Sequence, residues 1–257
     1  MKKINITVTG GLGRMGKIII KKIINSNQFN LSSVTEKITN KTINKIKFKT
    51  NSISSIKDCD VIIDFSNPKA TMEILDFAKK LKKKVIIGTT GFTKQQENKI
   101  KKISRSIAIF KSGNMSLGIN ILEYILEILS RKIPNYYQIS VTDNHHKKKI
   151  DYPSGTALML ANAISRGKDK DLKSIKGKIF LNKKGNLSKN KINFFIKRKG
   201  KTIGQHSVQF NNISENIELK HIAFSRDLFA EGALKAVLWI KNKNKGLYNM
   251  QDMLGLK

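Results

Sequence analysis

Between residues 3 and 110 the spacing of apolar residues switches repeatedly between the periodicity of a strand and that of a helix. This pattern predicts strands alternating with helices. The predicted strands are 3–9, 29–34, 61–65, 84–87 and 106–110, and the predicted helices are 17–24, 68–81 and 93–103. The segment 61–65 is a short apolar run, which is typical of a strand covered on both faces. Strands that alternate with helices indicate a parallel sheet with right-handed crossovers.

After Gly113 the pattern becomes mixed. It predicts helices at 119–128, 156–164 and 230–240, and strands at 137–142, 192–196, 206–210 and 217–224. We expect the last three strands to pair antiparallel. The lysine-rich stretches 36–56 and 166–190 give no firm prediction. The whole pattern predicts a nucleotide-binding domain followed by a mixed α/β domain.

The composition indicates a protein of a reducing compartment. The single cysteine, Cys59, cannot form an intramolecular disulfide. The N-terminus is basic but lacks an apolar run of signal-peptide length, and no window approaches the roughly 20 apolar residues of a membrane span. We therefore expect a cytoplasmic protein without a membrane partner.

A formal charge of +32 raises the question of nucleic-acid binding. The excess is almost entirely lysine, with six arginines, and it is spread along the whole chain. A dedicated nucleic-acid binder concentrates its charge and interleaves arginine and aromatic residues. Isoleucine and asparagine, which share AT-rich codons with lysine, are abundant as well. We interpret the charge as compositional drift and expect no specific nucleic-acid partner.

A glycine loop follows the first predicted strand. Gly11-Leu12-Gly13-Arg14-Met15-Gly16 fits G-x-G-x-x-G between a strand and a helix, where backbone N–H groups can approach a pyrophosphate. Glu36 follows Gly16 by 20 residues, where an acid holds the ribose hydroxyls. Lys37 beside it suits the extra phosphate of NADP. The pair predicts that both NADH and NADPH are accepted.

The segment 145–157 holds the candidate chemistry. His145 and His146 supply imidazoles, which carry protons near neutral pH, and Lys149 supplies a cation for developing negative charge. Ser154-Gly155-Thr156 opens a helix whose N-terminus suits a carboxylate. Zinc is disfavoured, since Cys59, His206 and His221 would have to complete the ligand set. A solvated basic loop is the other interpretation of these residues alone.

This segment resembles the H-H-x-x-K-x-D-x-P-S-G-T-A signature of the 4-hydroxy-tetrahydrodipicolinate reductases. Residues 10–16 resemble that family's G-x-x-G-R-M-G, 88–92 its G-T-T-G-F and 112–120 its N-F-S-x-G-x-N segment. Segments 204–208 and 225–239 also fit, so the motifs run in the family's order from 10 to 239. There are two departures, because Met115 replaces the usual phenylalanine and Asp143 stands where a glutamate is common.

The resemblance implies roles for individual residues. His145 would act as a proton donor or acceptor and Lys149 as the second proton donor, while His146, Gly155 and Thr156 would bind the substrate, a small dicarboxylate. The residues implied to bind NADPH or NADH are Gly10, Gly11, Leu12, Gly13, Arg14, Met15, Glu36, Lys37, Gly88, Thr89, Thr90, Ser112, Gly113, Asn114 and Met115.

The resemblance also implies the fold class, α/β. A Rossmann-type, doubly wound parallel sheet domain would comprise 1–116 with 226–257. A mixed α+β domain with an open sheet, 117–225, would bind the substrate and assemble a homotetramer. The implied reaction is nicotinamide-dependent reduction in the diaminopimelate route to lysine. Two alternatives are a different nicotinamide enzyme, such as an amino-acid dehydrogenase, and a catalytically silent dinucleotide- or nucleic-acid-binding protein.

Overall fold

The computed structural model describes residues 2–37 and 40–256, which form two compact units. The first unit runs as far as Ser116 and resumes at Asp227–Gly255, and the second is Leu117–Arg226. In chain order the elements are β1 (Ile4–Thr9), α1 (Arg14–Ile24), β2 (Phe29–Thr35), β3 (Thr42–Ile43), β4 (Ile46–Lys47), α2 (Ile53–Ile56), β5 (Val61–Asp64), α3 (Pro68–Lys80), β6 (Lys84–Ile87), α4 (Lys94–Ser104), β7 (Ala108–Lys111), α5 (Leu117–Lys132), β8 (Gln138–His145), α6 (Gly155–Gly167), α7 (Leu172–Ile175), β9 (Lys176–Leu181), β10 (Ile192–Arg198), β11 (Gly204–Asn211), β12 (Asn216–Ala223), α8 (Asp227–Ile240), β13 (Gly246–Tyr248) and α9 (Met250–Leu254).

The first unit is built on a six-stranded sheet in the order β13-β7-β6-β5-β1-β2, and every neighbouring pair is parallel. The five strands and three helices predicted up to residue 110 are confirmed, with ends shifted by at most three residues. The stretch 36–56 contains the β3–β4 hairpin and α2, apart from residues 38 and 39, which lie outside the described part. Strand β13, only three residues long, has no counterpart among the predictions.

Strand β5 shows why this sheet is buried on both faces. Ile62 packs in a fully apolar cluster with Ile74 of α3 and Ile100 of α4, while Val61 and Ile63 on the opposite face are also buried. Each such side chain contributes roughly 1.5–3 kcal/mol through burial. Helices α1 and α8 pack against each other, and α3 packs against α2 and α4. These contacts and the all-parallel order are those of a Rossmann-type, doubly wound sheet.

Two helix starts follow directly from the sequence. Asn67 caps α3 by accepting a hydrogen bond from the backbone N–H of Ala70, and Pro68 occupies the first helical position. Thr93 and Gln96 form a reciprocal capping box at the start of α4. Both starts lie at the edge of the sheet where the parallel strands end, and they therefore help to fix the loops at that edge.

The second unit is built on a five-stranded mixed sheet in the order β12-β11-β8-β10-β9. Strand β11 pairs antiparallel with both β8 and β12, but β10 pairs parallel with β8 and with β9. The antiparallel pairing predicted for the last three strands is therefore confirmed for β11 and β12 but is wrong for β10. Alternation of apolar and polar residues is the same in either direction, so it does not fix strand orientation. The chain between β9 and β10 crosses back over the sheet, with Gly185 packed against the ring of Phe180.

The core of this unit lies on one face of the sheet, where α5 and α6 pack together. The apolar residues of that face alternate along the strands, as in Ile139 and Val141 of β8 and Val208 and Phe210 of β11. The helices predicted at 119–128, 156–164 and 230–240 are confirmed as parts of longer helices. The unassigned stretch 166–190 contains the end of α6, α7 and β9. Within residues 2–37 and 40–256, no helix combines the length and apolar character needed to cross a bilayer.

Candidate active site

The glycine loop closes tightly between β1 and α1. Gly10 has a φ of +78°, a conformation that side chains disfavour. A side chain at Gly16 would overlap the carbonyl oxygen of Gly10, and one at Gly11 would overlap Val34. Gly13 stands at the N-cap of α1 and has no side chain to fill the space in front of the helix. The exposed N-terminus of α1 therefore fits an anion such as a pyrophosphate.

Glu36 comes directly after β2 and reaches the glycine loop. One carboxylate oxygen accepts from the backbone N–H of Leu12 at 3.1 Å, and the other accepts from that of Lys37 at 3.0 Å. Glu36 and Lys37 both line a cavity of about 260 Å³ that also borders Gly10. The acid and the lysine are thus at one cavity, as a ribose and its attached phosphate require. This observation and the tight glycine turn show that the residues fit a dinucleotide.

Residues 88–90 follow β6 at the same edge of the sheet. Gly88 has the ring of Phe65 where a side chain would be, and the Thr89 hydroxyl donates to the Asp64 carboxylate at 2.8 Å. Ser66 and Thr71 also donate hydroxyl hydrogen bonds to Asp64, each at 2.5 Å. Burial raises the pKa of the Asp64 carboxyl, although the three hydroxyls act against this. Asp64 therefore ties together the loops after β5 and β6.

Residues 112–115 follow β7. The Ser112 hydroxyl donates to the carbonyl oxygen of Asn114 at 2.7 Å, and the Asn114 side chain accepts from the N–H of Ser116 at 2.8 Å. The Met115 side chain is buried, and its backbone carbonyl lies where a side chain at Gly232 of α8 would be. This loop is therefore held by its own hydrogen bonds and by α8.

The second candidate group lies at the end of β8, which extends through His145. Thr202 accepts a backbone hydrogen bond from His146 at 2.8 Å. Lys149, in the loop that follows, forms an ion pair with Asp151 at 2.8 Å between Nζ and Oδ1. The loop ends at Ser154, whose hydroxyl caps α6 by accepting from the N–H of Ala157 at 3.2 Å. Because Ser154 is the N-cap, Gly155 and Thr156 are the first residues of α6 and lie at its positive end.

Asp143, two residues before His145, connects these parts. Its Oδ1 lies 2.7 Å from Nδ1 of His145, and its Oδ2 accepts from the backbone N–H of Ser154 at 2.7 Å. Arg198 of β10 donates to the same Oδ2 at 2.9 Å and to the carbonyl oxygen of Asp151 at 2.8 Å. A fully buried carboxylate thus joins the histidine, the lysine loop and the start of α6.

His206 of β11 completes this cluster. Its Nε2 lies 3.5 Å from Asp143 Oδ1 and 3.2 Å from the Ser154 hydroxyl, and its ring meets that of His145 edge to face, with centroids 5.1 Å apart. Burial lowers the pKa of His206, while the Asp143 carboxylate acts in the opposite direction. The charge on Lys149 also acts to lower the pKa of this imidazole.

Asp143, His145 and His206 offer potential metal-binding atoms within 4.8 Å of one another. However, Asp143 already accepts from a guanidinium and a backbone N–H, and the Arg198 cation would repel a metal ion. We therefore assign these residues to an imidazole–carboxylate network.

The residues implied to bind the cofactor all lie in the first unit, at the edge of the sheet where the parallel strands end. His145, His146, Lys149, Gly155 and Thr156 lie in the second unit. The sequence patterns predict no role for Asp143, Arg198 or Asp64, and His206 enters them only as a possible zinc ligand. One available signal was the alternation of β8 and β10, because Asp143 and Arg198 stand at positions that continue the core-facing series.

This fold and these groups define a nicotinamide-dependent oxidoreductase with a Rossmann-type unit. The family model described as Dihydrodipicolinate reductase, N-terminus, matches residues 4–115, and the one described as Dihydrodipicolinate reductase, C-terminus, matches residues 118–254. The chain belongs to the dihydrodipicolinate reductase family, whose members use NADPH or NADH.

Individual relatives agree over the full length. A 4-hydroxy-tetrahydrodipicolinate reductase of Pelagibacter ubique is 50% identical over 258 residues, covering 100% of both chains. One of Buchnera aphidicola subsp. Cinara cedri is 41% identical and covers 98% of this chain and 97% of its own. Among solved structures, a dipicolinate-bound dihydrodipicolinate reductase from Paenisporosarcina sp. has a TM-score of 0.79 at 19% identity, covering 98% of this chain and 99% of its own, which supports the fold.

Proposed function

We propose that this chain reduces 4-hydroxy-tetrahydrodipicolinate to tetrahydrodipicolinate with NADPH or NADH, in the diaminopimelate route to lysine. The full-length match to the reductase family supports the reaction. The structural observation that carries the proposal is the cluster at the end of β8. There the Asp143 carboxylate holds His145 beside the N-terminus of α6 and the loop of Lys149.

The first unit would bind the dinucleotide. Residues 10–15 would hold the pyrophosphate at the N-terminus of α1, and Glu36 the ribose hydroxyls. Lys37 would bind the additional phosphate of NADPH by charge. Residues 88–90, fixed through Asp64, and 112–115 would line the nicotinamide side. When bound, the nicotinamide supplies the hydride.

The second unit would bind the dicarboxylate and handle protons. The N–H groups of Gly155 and Thr156 at the positive end of α6 would hold one carboxylate, and His146 would contact the substrate as well. The reaction adds one hydride and one proton to the substrate and releases one water. His145 and Lys149 would provide the proton and stabilise the negative charge that develops on the ring.

We also propose that the second unit assembles a homotetramer through its sheet. Helices α5 and α6 cover one face of the sheet. The other face carries alternating residues such as Thr142 and Phe195, which line a groove of about 770 Å³. Light scattering should give a mass about four times the 29.0 kDa of one chain. A mass of one or two chains would contradict the tetramer.

The single buried cysteine supports a cytoplasmic location, and the spread of lysines supports the absence of a specific nucleic-acid partner. In a salt titration, DNA binding should be lost near physiological ionic strength and should not depend on base sequence. Continued binding of one particular DNA sequence at physiological ionic strength would contradict this part of the proposal.

The reaction is tested by generating the unstable substrate in place, with its synthase, from pyruvate and aspartate semialdehyde. Loss of reduced-nicotinamide absorbance should depend on the synthase and should occur with both NADH and NADPH. Binding of NADPH without synthase-dependent oxidation would contradict the proposed reaction while leaving the dinucleotide site intact.

A further inference from the structure

A row of polar residues crosses the sheet of the second unit on its core-facing side. Asp143 of β8 is in register with His206 of β11, which is in register with His221 of β12. Directly opposed residues of antiparallel strands point to the same face. Along β8 this face is otherwise apolar, with Ile139 and Val141 in the core. A carboxylate in such a position requires partners on all sides.

The two oxygens of Asp143 have different partners. Oδ2 accepts from the Arg198 guanidinium at 2.9 Å and from the Ser154 backbone N–H at 2.7 Å. Oδ1 faces Nδ1 of His145 at 2.7 Å and Nε2 of His206 at 3.5 Å. One oxygen therefore anchors the surrounding backbone and β10, and the other is directed at the imidazoles.

Burial alone would raise the pKa of the Asp143 carboxyl. The close imidazoles of His145 and His206, with the hydrogen bonds from the Ser154 backbone and Arg198, outweigh burial and hold this pKa well below its usual range. Asp143 is therefore ionised at neutral pH and can only accept hydrogen bonds. Nδ1 of His145 must then carry a proton, which leaves Nε2 as the nitrogen available for chemistry.

Space around Nε2 of His145 depends on a glycine. A Cβ at Gly204, where β11 begins, would lie 3.1 Å from Nε2. The Asp143 carboxylate thus holds the imidazole at Nδ1, and the lack of a side chain at Gly204 leaves room for Nε2. We infer that Asp143 is a positioning residue for the reaction: it fixes the tautomer and orientation of His145. This inference rests on the proposed function.

Substitution of Asp143 by Asn distinguishes a positioning role from a merely structural one. Asn has nearly the same shape and can keep an oxygen toward Arg198 and Ser154, so the anchoring contacts survive Asp143→Asn. The amide N–H₂ then faces Nδ1 of His145, donates instead of accepting, and favours the opposite tautomer. Asp143→Glu restores the carboxylate and serves as the charge-retaining control.

The experiment measures kcat and KM at neutral pH for the wild type and both variants, with NADPH and substrate generated in place. Asp143→Asn should lower kcat about 10-fold or more with little change in KM, because Nε2 of His145 then carries the proton and the imidazole no longer has the tautomer that the reaction needs. Asp143→Glu should recover most of kcat.

Asp143→Asn with the wild-type kcat would overturn the inference. An equal loss of kcat in both variants would also overturn it, since that result indicates structural damage only. NADPH affinity, measured by fluorescence titration, should change by less than about twofold in either variant.

A second measurement uses the wild-type protein and does not depend on the folding of any variant. Nitrogen-15 NMR of the histidine rings at pH 8 should show His145 with its proton on Nδ1 and a bare Nε2. A proton on Nε2 would overturn the inference. Because this readout requires no turnover, it still decides the role of Asp143 if the wild type fails to reduce the substrate, a failure that would contradict only the proposed function.

Discussion

The carbonyl oxygen of Gly10 occupies the place that a side chain of Gly16 would fill. This close contact between the two glycines closes the turn between β1 and α1. It also places the N-terminus of the helix at the loop. Because the obstacle is backbone, it cannot be relieved by rotation of a side chain.

Gly16→Ala should therefore weaken NADPH binding about 10-fold or more, since overpacking of about 1–3 kcal/mol must shift the loop. Fluorescence titration of NADPH checks this. Lys17→Ala, at the next and exposed position of α1, is the matched control and should bind like the wild type. Equal affinity of Gly16→Ala and the wild type would show that the loop does not hold the cofactor.

Glu36 and Lys37 should set the preference between cofactors. Glu36→Gln should lower kcat/KM for NADH about 10-fold, because it loses a charged acceptor for the ribose hydroxyls, and should affect NADPH less. Lys37→Ala should lower kcat/KM for NADPH and should spare NADH. Lys80→Ala, exposed on α3, is the control for the loss of one positive charge. Equal losses with the two cofactors in each variant would refute this assignment.

His145→Gln and Lys149→Ala should each lower kcat on the order of 10²-fold or more, the usual contribution of a positioned proton donor. NADPH affinity should stay nearly unchanged. Lys148→Ala removes an exposed lysine from the same loop and should keep wild-type turnover. Wild-type kcat in both His145→Gln and Lys149→Ala would show that these roles are misassigned even within the right family.

Stability should fall as pH falls below about 6.5, in part because of His206. Burial lowers the pKa of its imidazole in the folded protein below the value of 6.5 that applies to the unfolded chain. Between these two values the unfolded state binds the additional proton, so stability decreases with falling pH by up to about 1.4 kcal/mol per pH unit.

His206→Gln should flatten this dependence. Urea unfolding from pH 5 to 8 measures the free energy of unfolding for the wild type, His206→Gln and His221→Gln. The half-buried His221, whose pKa burial also lowers, should account for a smaller part of the slope. An unchanged slope in His206→Gln would mean that folding does not shift the pKa of His206.

Most of the fold of the first unit could be predicted from local sequence patterns. The apolar run of β5 and the Asn67-Pro68 cap are signals within a few residues, and both are confirmed. The direction of β10 could not be predicted from local sequence, because it depends on which edge of β8 the returning chain reaches. Strand β13 pairs with β7 across more than a hundred residues and is too short to show a period.

The same distinction applies to the catalytic cluster. His145, Lys149 and the start of α6 are close in sequence and were predicted together. Asp143, Arg198 and His206 come from three strands, and only the registers of β10 and β11 against β8 bring them to one carboxylate. The polar residues at the end of β8 also interrupted its apolar alternation, which is why the predicted strand stopped at residue 142 although β8 continues to His145.

The most direct test of the proposed reaction follows the hydride itself. With NADPH carrying deuterium at the transferred position of the nicotinamide, tetrahydrodipicolinate formed by this chain should contain one deuterium at a ring carbon, detected by mass spectrometry after the substrate is generated in place. Labelled product would establish reduction of this substrate by hydride transfer. Absence of the product, or product without the label, would contradict the account.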